Sequence, residues 1–580
     1  MRLFICMMYL VRSLQLVAAL FLAAIVRAQV LVDFQVAQPP PVPQDAQECT
    51  IEILQRTFGN SYGDPEIVEY TPPADCGAVG SWAGITLNFT VTSNGTQYDR
   101  LGIFTFQNVE IWRTSTPEPT TDGIIWTYVK DVTRYTPLFA KPGTFILELD
   151  NLLETGLNGQ YATTLYATFY ASSVQYPPAA QANMIIPVTN LANNTGDDAS
   201  VPPAFSLNVT VPQNAVQIYA ELYASGNAEE EFWYYNVPSE YLDDLPADFT
   251  YGNGPFREVR MLVDGQLAGV AFPYAVIFTG GILPSAWRPI TSYGALDLPT
   301  YYIDLTPFVP ILADGSPHNI TIDVASAETD HTINDNWYVS GNLQVVTDPS
   351  ARPTTGRITS YSAEPYAVTT TSASMANGNI NITVSATRKI AIEAEIVSGS
   401  GVTTYVAWSQ SLEYSNTQYY MDDYNIQNVA QSASGSFLST HNGVPTLVDD
   451  FSYPLYINIT SLNPEGTEFT ASFDHSYERT SHPSPFLLGS TINERQLAAG
   501  IFVETANGNY GNGTSNNTFS YLDTRGNTYD REVNAAYDNI TYDHQGGSLY
   551  AGNVFSFPLF SLPAPMVAAP RLPGGRSIGV

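Results

Sequence analysis

Two acidic residues stand out because each lies beside an arginine and next to an apolar run. Asp99 precedes Arg100 and the apolar residues 101–106, and Glu258 follows the turn-forming residues 252–255. Two carboxyl groups brought together from separate β-units could serve as base and acid in a hydrolytic reaction. On the residues alone, a structural ion pair with a neighbouring arginine explains each acid more simply.

Other acids and the remaining reactive residue types give weaker signals. Asp150 and Glu118 are both candidates for a third catalytic acid, and the sequence does not choose between them. The acidic run 229–231 is more typical of a solvated surface than of a cleft. The six histidines are scattered without metal-ligand spacing, and neither a phosphate-binding glycine loop nor a Gly-x-Ser-x-Gly elbow occurs. We therefore expect chemistry by carboxyl groups, with no metal and no cofactor.

The N-terminus is typical of a secretory signal peptide. Arg2 and Arg12 precede the apolar residues 14–26, and a small-residue cleavage site ends at Ala28. A membrane anchor is the alternative, but the apolar run is short for one. We expect a secreted protein, in the cell wall or an acidic vacuole if not free in the medium. Removal of Cys6 with the signal leaves Cys49 and Cys76, which an oxidising compartment would join in a disulfide.

Ten Asn-x-Ser/Thr sequons agree with this compartment. Several lie in alternating runs, so that the asparagine and the threonine share one face of a strand while apolar neighbours point the other way. Glycans would then leave from the solvent face of a sheet. The sequon residues are Asn88, Asn94, Asn193, Asn208, Asn319, Asn381, Asn458, Asn512, Asn516 and Asn539.

The composition limits the partners. The 580 residues are 44% hydrophobic and 13% charged, which indicates a folded protein of several domains. The formal net charge of −33 repels nucleic acid and anionic membranes, so neither is expected as a partner.

Alternation with a period of two predicts an all-β protein. The clearest runs are 85–91, 145–149, 218–223, 319–324, 390–396 and 455–459. Frequent turn residues between short strands favour antiparallel sandwiches. The segments beginning at Asp131 and Asp304 share the pattern Asp-apolar-Thr, which indicates two related sandwiches in tandem.

Composition shifts divide the chain into six segments. Pro-rich and polar stretches mark the connections between them. The predicted segments are a signal peptide (1–28), a Pro-rich leader (29–47), a first β-sandwich (48–176), a connector (177–202), a second β-sandwich (203–347) and a C-terminal β-rich domain with a flexible tail (348–580).

A family resemblance is carried by the segments 58–63, Tyr98-Asp99-Arg100, 131–135, 252–259, 279–291 and 297–301. Taken in order, these segments resemble the secreted peptide:N-glycanase A family of plants and fungi. The resemblance runs from about residue 44 to residue 348 and is weaker beyond. It implies tandem jelly-roll-like sandwiches that share one active site, as in the distantly similar bacterial F-type glycanase.

The resemblance implies a secreted amidase that cleaves between an asparagine side chain and the first N-acetylglucosamine of an N-glycan, giving aspartate and a glycosylamine. Asp99 would be the catalytic aspartate and Glu258 the second carboxylate, which orients water or substrate. Arg100 would keep Asp99 ionised, and Arg288 would bind an oxygen or steer Glu258. The aromatic residues that could stack on sugars, although core packing explains each one more simply, are Tyr98, Trp287 and Trp233.

Two other functions stay open. The same sandwiches could form a carbohydrate-binding or cell-wall protein without turnover, or the acid pair could hydrolyse glycosidic bonds. The substrate in the favoured reading is an N-glycopeptide or N-glycoprotein.

Overall fold

The structure, a computed structural model, describes residues 30–550 apart from 192–195, 197, 248, 482–485 and 506–507. The predicted signal peptide, the tail after residue 550 and the sequon at Asn193 lie outside the described residues. Five sheets account for most of the described chain, and nearly all their strand pairs are antiparallel. The predicted all-β class is confirmed.

The first sandwich consists of a five-stranded and a four-stranded sheet, with strand orders β1-β7-β4-β9-β2 and β3-β8-β5-β6. Buried aromatic and aliphatic side chains from both sheets fill the space between them. The strands are β1 (Leu31–Asp33), β2 (Glu48–Phe58), β3 (Glu66–Tyr70), β4 (Gly84–Ser93), β5 (Leu101–Phe106), β6 (Val109–Ser115), β7 (Ile124–Asp131), β8 (Gly143–Leu149) and β9 (Tyr161–Tyr170).

The second sandwich repeats this arrangement with strand orders β10-β18-β13-β16, where β11 also pairs with β18, and β12-β17-β14-β15. Its buried core residues form one continuous cluster with buried residues of the C-terminal sheet. The strands are β10 (Met184–Val188), β11 (Ala199–Val201), β12 (Phe205–Val209), β13 (Ala215–Asn227), β14 (Glu258–Val263), β15 (Gln266–Ala271), β16 (Tyr301–Asp304), β17 (His318–Ala325) and β18 (Asn336–Thr347).

A single 11-stranded sheet forms the C-terminal part. One face of its long strands is apolar and packs on the second sandwich, while the other face is rich in Ser, Thr and Asn. The strands are β19 (Thr355–Ala363), β20 (Val368–Ala376), β21 (Asn379–Val397), β22 (Thr403–Met421), β23 (Ile426–His441), β24 (Val444–Ser461), β25 (Glu468–Ser481), β26 (Ser490–Val503), β27 (Tyr510–Asp523), β28 (Thr528–Ala536) and β29 (Asn539–Gly546).

Helical structure is confined to short segments, and no helix in the described part of the chain is long and apolar enough to cross a membrane. Two single-turn α-helices are Thr136–Phe139 and Val309–Leu312. The 3-10 turns are Thr133–Tyr135, Ala228–Glu230, Trp233–Tyr235, Ser239–Asp244, Pro284–Trp287 and Thr306–Phe308.

The two Asp-apolar-Thr segments have the same local structure. Asp131 accepts a hydrogen bond from the backbone N–H of Thr133 at 2.8 Å, and Asp304 accepts one from Thr306 at 2.8 Å. In each case a strand ends at the aspartate, and a 3-10 turn and then a single-turn α-helix follow. Such side-chain-to-backbone bonds stop a strand and start a turn. The shared pattern therefore marks equivalent positions in the two sandwiches.

A buried ion pair and buried hydrogen bonds fix the two sandwiches against each other. Arg134 of the first contacts Glu221 of the second at 3.1 Å, and both side chains are almost fully buried. Arg113 donates to the hydroxyl of Ser225 at 2.9 Å and to the carbonyl of Tyr338 at 2.7 Å. Because breaking one partner of a buried pair costs about 3–5 kcal/mol, these contacts hold the junction rigidly.

Strands also lie in two segments that were predicted as connections. β1 falls in the leader 29–47, and β10 and β11 fall in the connector 177–202. The predicted disulfide is present: Cys49 and Cys76 are joined with a Cα–Cα distance of 5.6 Å.

None of the sequon asparagines in the described ranges is buried. At Asn381 the flanking Ile380 and Ile382 point inward, which agrees with the predicted solvent face, whereas Ile540 beside Asn539 is exposed. Asn208 and Asn319 face each other across the pair β12–β17.

Candidate active site

Four connections between strands meet at the junction of the two sandwiches. The first sandwich contributes residues 94–100, between β4 and β5, and residues 116–123, between β6 and β7. The second contributes the segment after β13 and the long connection 272–300 between β15 and β16. Thr279 donates its hydroxyl hydrogen to the carbonyl of Thr116 at 2.7 Å, so the long connection lies directly on the first sandwich.

Asp99 lies in the connection that leads into β5, as expected from the apolar strand that follows it. Its half-buried carboxylate lies against Gly280, whose backbone N–H lowers the pKa of Asp99. A Cβ at Gly280 would lie 2.6 Å from Asp99 Oδ1 and 2.6 Å from Glu118 Oε1. A side chain at this position would displace the two carboxyl groups, because both border the space that it would fill.

Glu118 is the second acid of the site. Its side chain is 17% exposed, and its Oε2 lies 3.6 Å from Nη2 of Arg288. The same nitrogen donates to the backbone carbonyl of Glu118 at 3.1 Å. Of the two candidates for a third acid, the structure thus brings Glu118 to Asp99, whereas Asp150 accepts from the backbone N–H of Gly63.

Glu231 is the third acid, and it comes from the second sandwich. The preceding residue, Glu230, is fully buried and paired with Arg257 at 2.5 Å. Glu230 also accepts from the indole of Trp337 at 2.7 Å and from the backbone N–H of Asn334 at 2.9 Å. These bonds anchor the turn, so that Glu231 is presented to the junction. The sequence predicts a solvated acidic run, and that holds only for its first member, the exposed Glu229.

The three carboxyl groups hold their protons to different pH values. Burial raises the pKa of Asp99 to about 6, against the opposing hydrogen bond from Gly280 and the charge of Arg100. Burial, and to a lesser extent the negative charge of Asp99, raise the pKa of Glu118 to about 7, while the positive charge of Arg288 lowers it. Burial and the charges of both other acids raise the pKa of Glu231 to about 8. Because like charges in one site cannot all ionise together, the cluster retains protons near neutral pH.

Glu258 lies elsewhere. It opens β14, is 1% exposed, and binds Nε of Arg388 at 2.6 Å and the backbone N–H of Ala367 at 3.2 Å. Its carboxylate is thereby committed to the C-terminal sheet rather than to Asp99. The predicted segment 252–259 still bears on the site, but through Arg257, which holds Glu230 and the turn that carries Glu231.

The predicted binding residues divide between the site and the core. Arg100 donates to Gln97 at 2.8 Å and lies 5.9 Å from the ring of Tyr98, which is 37% exposed. Arg288 contacts Glu118, not Glu258. Trp287 is 1% exposed and donates to the carbonyl of Gly281 at 2.9 Å, so its ring is unavailable for stacking on a sugar. Trp233 is likewise buried in the core.

Sequence reasoning missed Glu231, Gly280 and Asp33. Asp33 in β1 is 1% exposed, and burial raises its pKa to about 8 while Arg288 opposes the shift. The pairing of Phe34 with Ile290 brings this strand beside Arg288. Only the apolar neighbours of Glu231, Phe232 and residues 233–235, could have signalled that it is not part of a solvated face.

Among the described residues, one group of three potential metal ligands lies close together, formed by Cys49, Asp75 and Cys76. Its two sulfur atoms are joined in the disulfide. This group therefore offers no thiolate to a metal ion.

The fold and the site define an all-β protein whose three carboxyl groups, drawn from two sandwiches, could catalyse a hydrolysis. A family model described as Peptide N-acetyl-beta-D-glucosaminyl asparaginase amidase A matches residues 38–364, and the model of the PNGase_A C-terminal domain matches residues 381–455. The chain belongs to this amidase A family.

A curated relative and two solved structures are also similar. The relative is Peptide-N4-(N-acetyl-beta-glucosaminyl)asparagine amidase A of Prunus dulcis, 33% identical over 446 residues, which cover 73% of this chain and 76% of the relative. The structures are those of PNGF-II in the C2 and P21 space groups. Each is 16% identical over 52% of this chain and 66% of the other, with TM-scores of 0.36 and 0.33.

Proposed function

We propose that this protein hydrolyses the amide bond between an asparagine side chain and the first N-acetylglucosamine of an N-glycan on a glycopeptide or glycoprotein. The observation that carries the proposal is the cluster of Asp99, Glu118 and Glu231, whose environments separate their pKa values around neutrality. Acid and base roles are divided in this way when carboxyl groups share a site. Membership of the amidase A family and the name of the Prunus dulcis relative, an asparagine amidase, support the choice of substrate.

The reaction needs a base for water and an acid for the departing nitrogen. Asp99, with the lowest pKa of the three, takes a proton from water as the oxygen bonds to the side-chain carbonyl carbon. Glu231, with the highest pKa, gives its proton to the nitrogen as the carbon–nitrogen bond breaks. The products are an aspartate and a glycosylamine, and the proton on Asp99 returns to Glu231 through solvent.

Glu118 and Arg288 act on charge and position. Nη2 of Arg288 lies 3.1 Å from the backbone carbonyl of Glu118 and 3.6 Å from its carboxylate. The guanidinium thus places a positive charge beside this acid. A cation in this place stabilises negative charge that develops on the carbonyl oxygen during attack. Arg100 and the exposed ring of Tyr98 border Asp99 and would contact the glycan or the peptide.

The same proposal includes export from the cytosol. The signal-like residues 1–28, the disulfide between Cys49 and Cys76, and the accessible sequons support it. N-glycans are carried by exported proteins, so enzyme and substrate would meet outside the cytosol.

The test is a glycopeptide digest in water enriched in oxygen-18, read by mass spectrometry. We expect the asparagine to become an aspartate that carries one heavy oxygen. Asp99→Asn, Glu118→Gln and Glu231→Gln should each slow this conversion by at least about 100-fold, whereas the exposed neighbour variant Glu229→Gln should match the wild type. A peptide that keeps one N-acetylglucosamine on asparagine would identify a glycoside hydrolase instead, and no conversion by the wild type would refute the proposal.

Glu258→Gln separates the sequence-based assignment from the structural one. Because Glu258 pairs with Arg388 and not with Asp99, this variant should lose stability and keep the pH profile of the wild-type reaction. A folded Glu258→Gln protein with the turnover of Asp99→Asn would return Glu258 to the catalytic role.

A further inference from the structure

The C-terminal sheet touches the connection that carries Gly280 and Arg288. The 3-10 turn Pro284–Trp287 lies on β26 and β27. A Cβ at Gly513 would lie 2.6 Å from the carbonyl carbon of Ser285 and 2.8 Å from the backbone nitrogen of Ala286. These are backbone atoms, so no side-chain rotation can make room. The sheet is thus in direct backbone contact with the turn.

Neighbouring contacts extend the interface between the sheet and the turn. A Cβ at Gly511 would meet the hydroxyl of Ser285 at 3.1 Å, and one at Gly500 would meet the side chain of Leu283 at 3.0 Å. The ring of Phe473 in β25 lies 4.8 Å from that of Trp287. Three strands of the sheet, β25, β26 and β27, therefore pack against the segment around the turn 284–287.

The turn is linked to the catalytic groups by short steps. Trp287 donates to the carbonyl of Gly281 at 2.9 Å, and the backbone N–H of Leu283 donates to the same carbonyl at 2.6 Å. These bonds fix Gly281, and Gly280 before it lies against the carboxyl groups of Asp99 and Glu118. At the other end, Arg288 directly follows the turn and contacts Glu118.

We propose that Gly513, with the surrounding strands β25–β27, is the seat that positions Gly280 and Arg288 at the carboxyl cluster. The C-terminal sheet would then be a working part of the catalytic apparatus and not only a brace for the sandwiches. Gly513 is a positioning residue, because it acts through the turn and touches no reacting atom. The inference rests on the proposed function for its effect on turnover, but its effect on Arg288 can be measured without substrate.

The direct test compares Gly513→Ala with Gly546→Ala. Gly546 lies in β29 of the same sheet, and a Cβ there would meet nothing within 4 Å. The alanine at 513 must displace the turn, and a displacement of about 1 Å near the chemistry can cost about 100-fold in rate. We expect kcat of Gly513→Ala to fall by about that factor with little change in KM, and Gly546→Ala to stay within about twofold of the wild type.

The pH profile distinguishes positioning from general destabilisation. Arg288 lowers the pKa of Glu118, so its withdrawal should move the apparent pKa values of the whole cluster upward. A merely destabilised enzyme would lose folded protein while the profile of the remaining activity stayed in place. Reduced kcat with an unshifted profile, or unchanged kcat, would overturn the inference.

A second readout needs no turnover. The difference in unfolding free energy between Gly513→Ala and Gly513→Ala/Glu118→Gln should keep growing to a higher pH than the difference between the wild type and Glu118→Gln, because Glu118 of the folded protein would ionise later. If both differences stopped growing at the same pH, the seat would be refuted even with an inactive wild type, whereas the glycopeptide digest tests the proposed function by itself.

A second pair of variants covers the case in which Gly513→Ala does not fold. Phe473→Leu removes the ring that packs on Trp287, and Phe437→Leu removes a ring that packs on Trp408 in the same sheet. Both phenylalanines are 3% exposed, so the loss of stability should be similar. Only Phe473→Leu should raise the apparent pKa values of the reaction; a common shift or none would contradict the seat.

Discussion

Glu118→Gln should stabilise the protein in alkaline solution and not in acid. Burial and Asp99 raise the pKa of Glu118 from 4.5 to about 7. One pKa unit corresponds to about 1.4 kcal/mol, so ionising this group in the folded state costs about 3 kcal/mol. Because 17% of the side chain is exposed, solvent screening reduces this to about 2–3 kcal/mol. Glutamine carries no charge and avoids the cost.

The assay is urea unfolding of the wild type, Glu118→Gln and the exposed control Glu229→Gln at pH 5 and pH 9. The free energy of unfolding of Glu118→Gln minus that of the wild type should be about 2–3 kcal/mol larger at pH 9 than at pH 5, which means that the variant is relatively more stable at pH 9. The change in side-chain shape affects both pH values alike, so the difference isolates the charge. In an Asp99→Asn background the gain should shrink, since Asp99 is the second cause of the shift. Equal differences at both pH values would refute the described cluster.

Three further outcomes are expected. The pH dependence of kcat/KM should be bell-shaped, with activity rising through about pH 6 as Asp99 ionises and falling through about pH 8 as Glu231 loses its proton; a single limb would contradict the division of roles. Gly280→Ala should lower kcat about 100-fold without unfolding the protein, because its Cβ would lie 2.6 Å from both Asp99 and Glu118. Arg257→Met should lower the free energy of unfolding by about 3–5 kcal/mol by leaving Glu230 buried and unpaired, and Arg257→Met/Glu230→Gln should recover part of this loss.

Alternation along single strands predicted the fold class because each strand buries one face, and that preference is local. The runs at 85–91 and 390–396 both lie in strands with the expected inward face. The site needed more than local pattern. Asp99 stood out in its own segment and received a catalytic role only from the family resemblance, while Glu118 and Glu231 become its partners only when the sandwiches dock. Nothing in the local sequence distinguishes Glu258, paired with Arg388 130 residues later in the chain, from an acid that faces a cleft.

The cluster also predicts how the stability of the folded chain depends on pH. The folded-state pKa values of Asp99, Glu118 and Glu231 are all raised above 3.8–4.5, the range of the free side chains. Between those two sets of values the folded protein binds more protons than the unfolded one, so the free energy of unfolding falls as pH rises from about 4 to about 8. The formal net charge of −33 acts in the same direction, because partial protonation relieves self-repulsion. The carboxyl cluster and the strongly acidic surface thus both predict that the folded protein is more stable in mildly acidic than in alkaline solution.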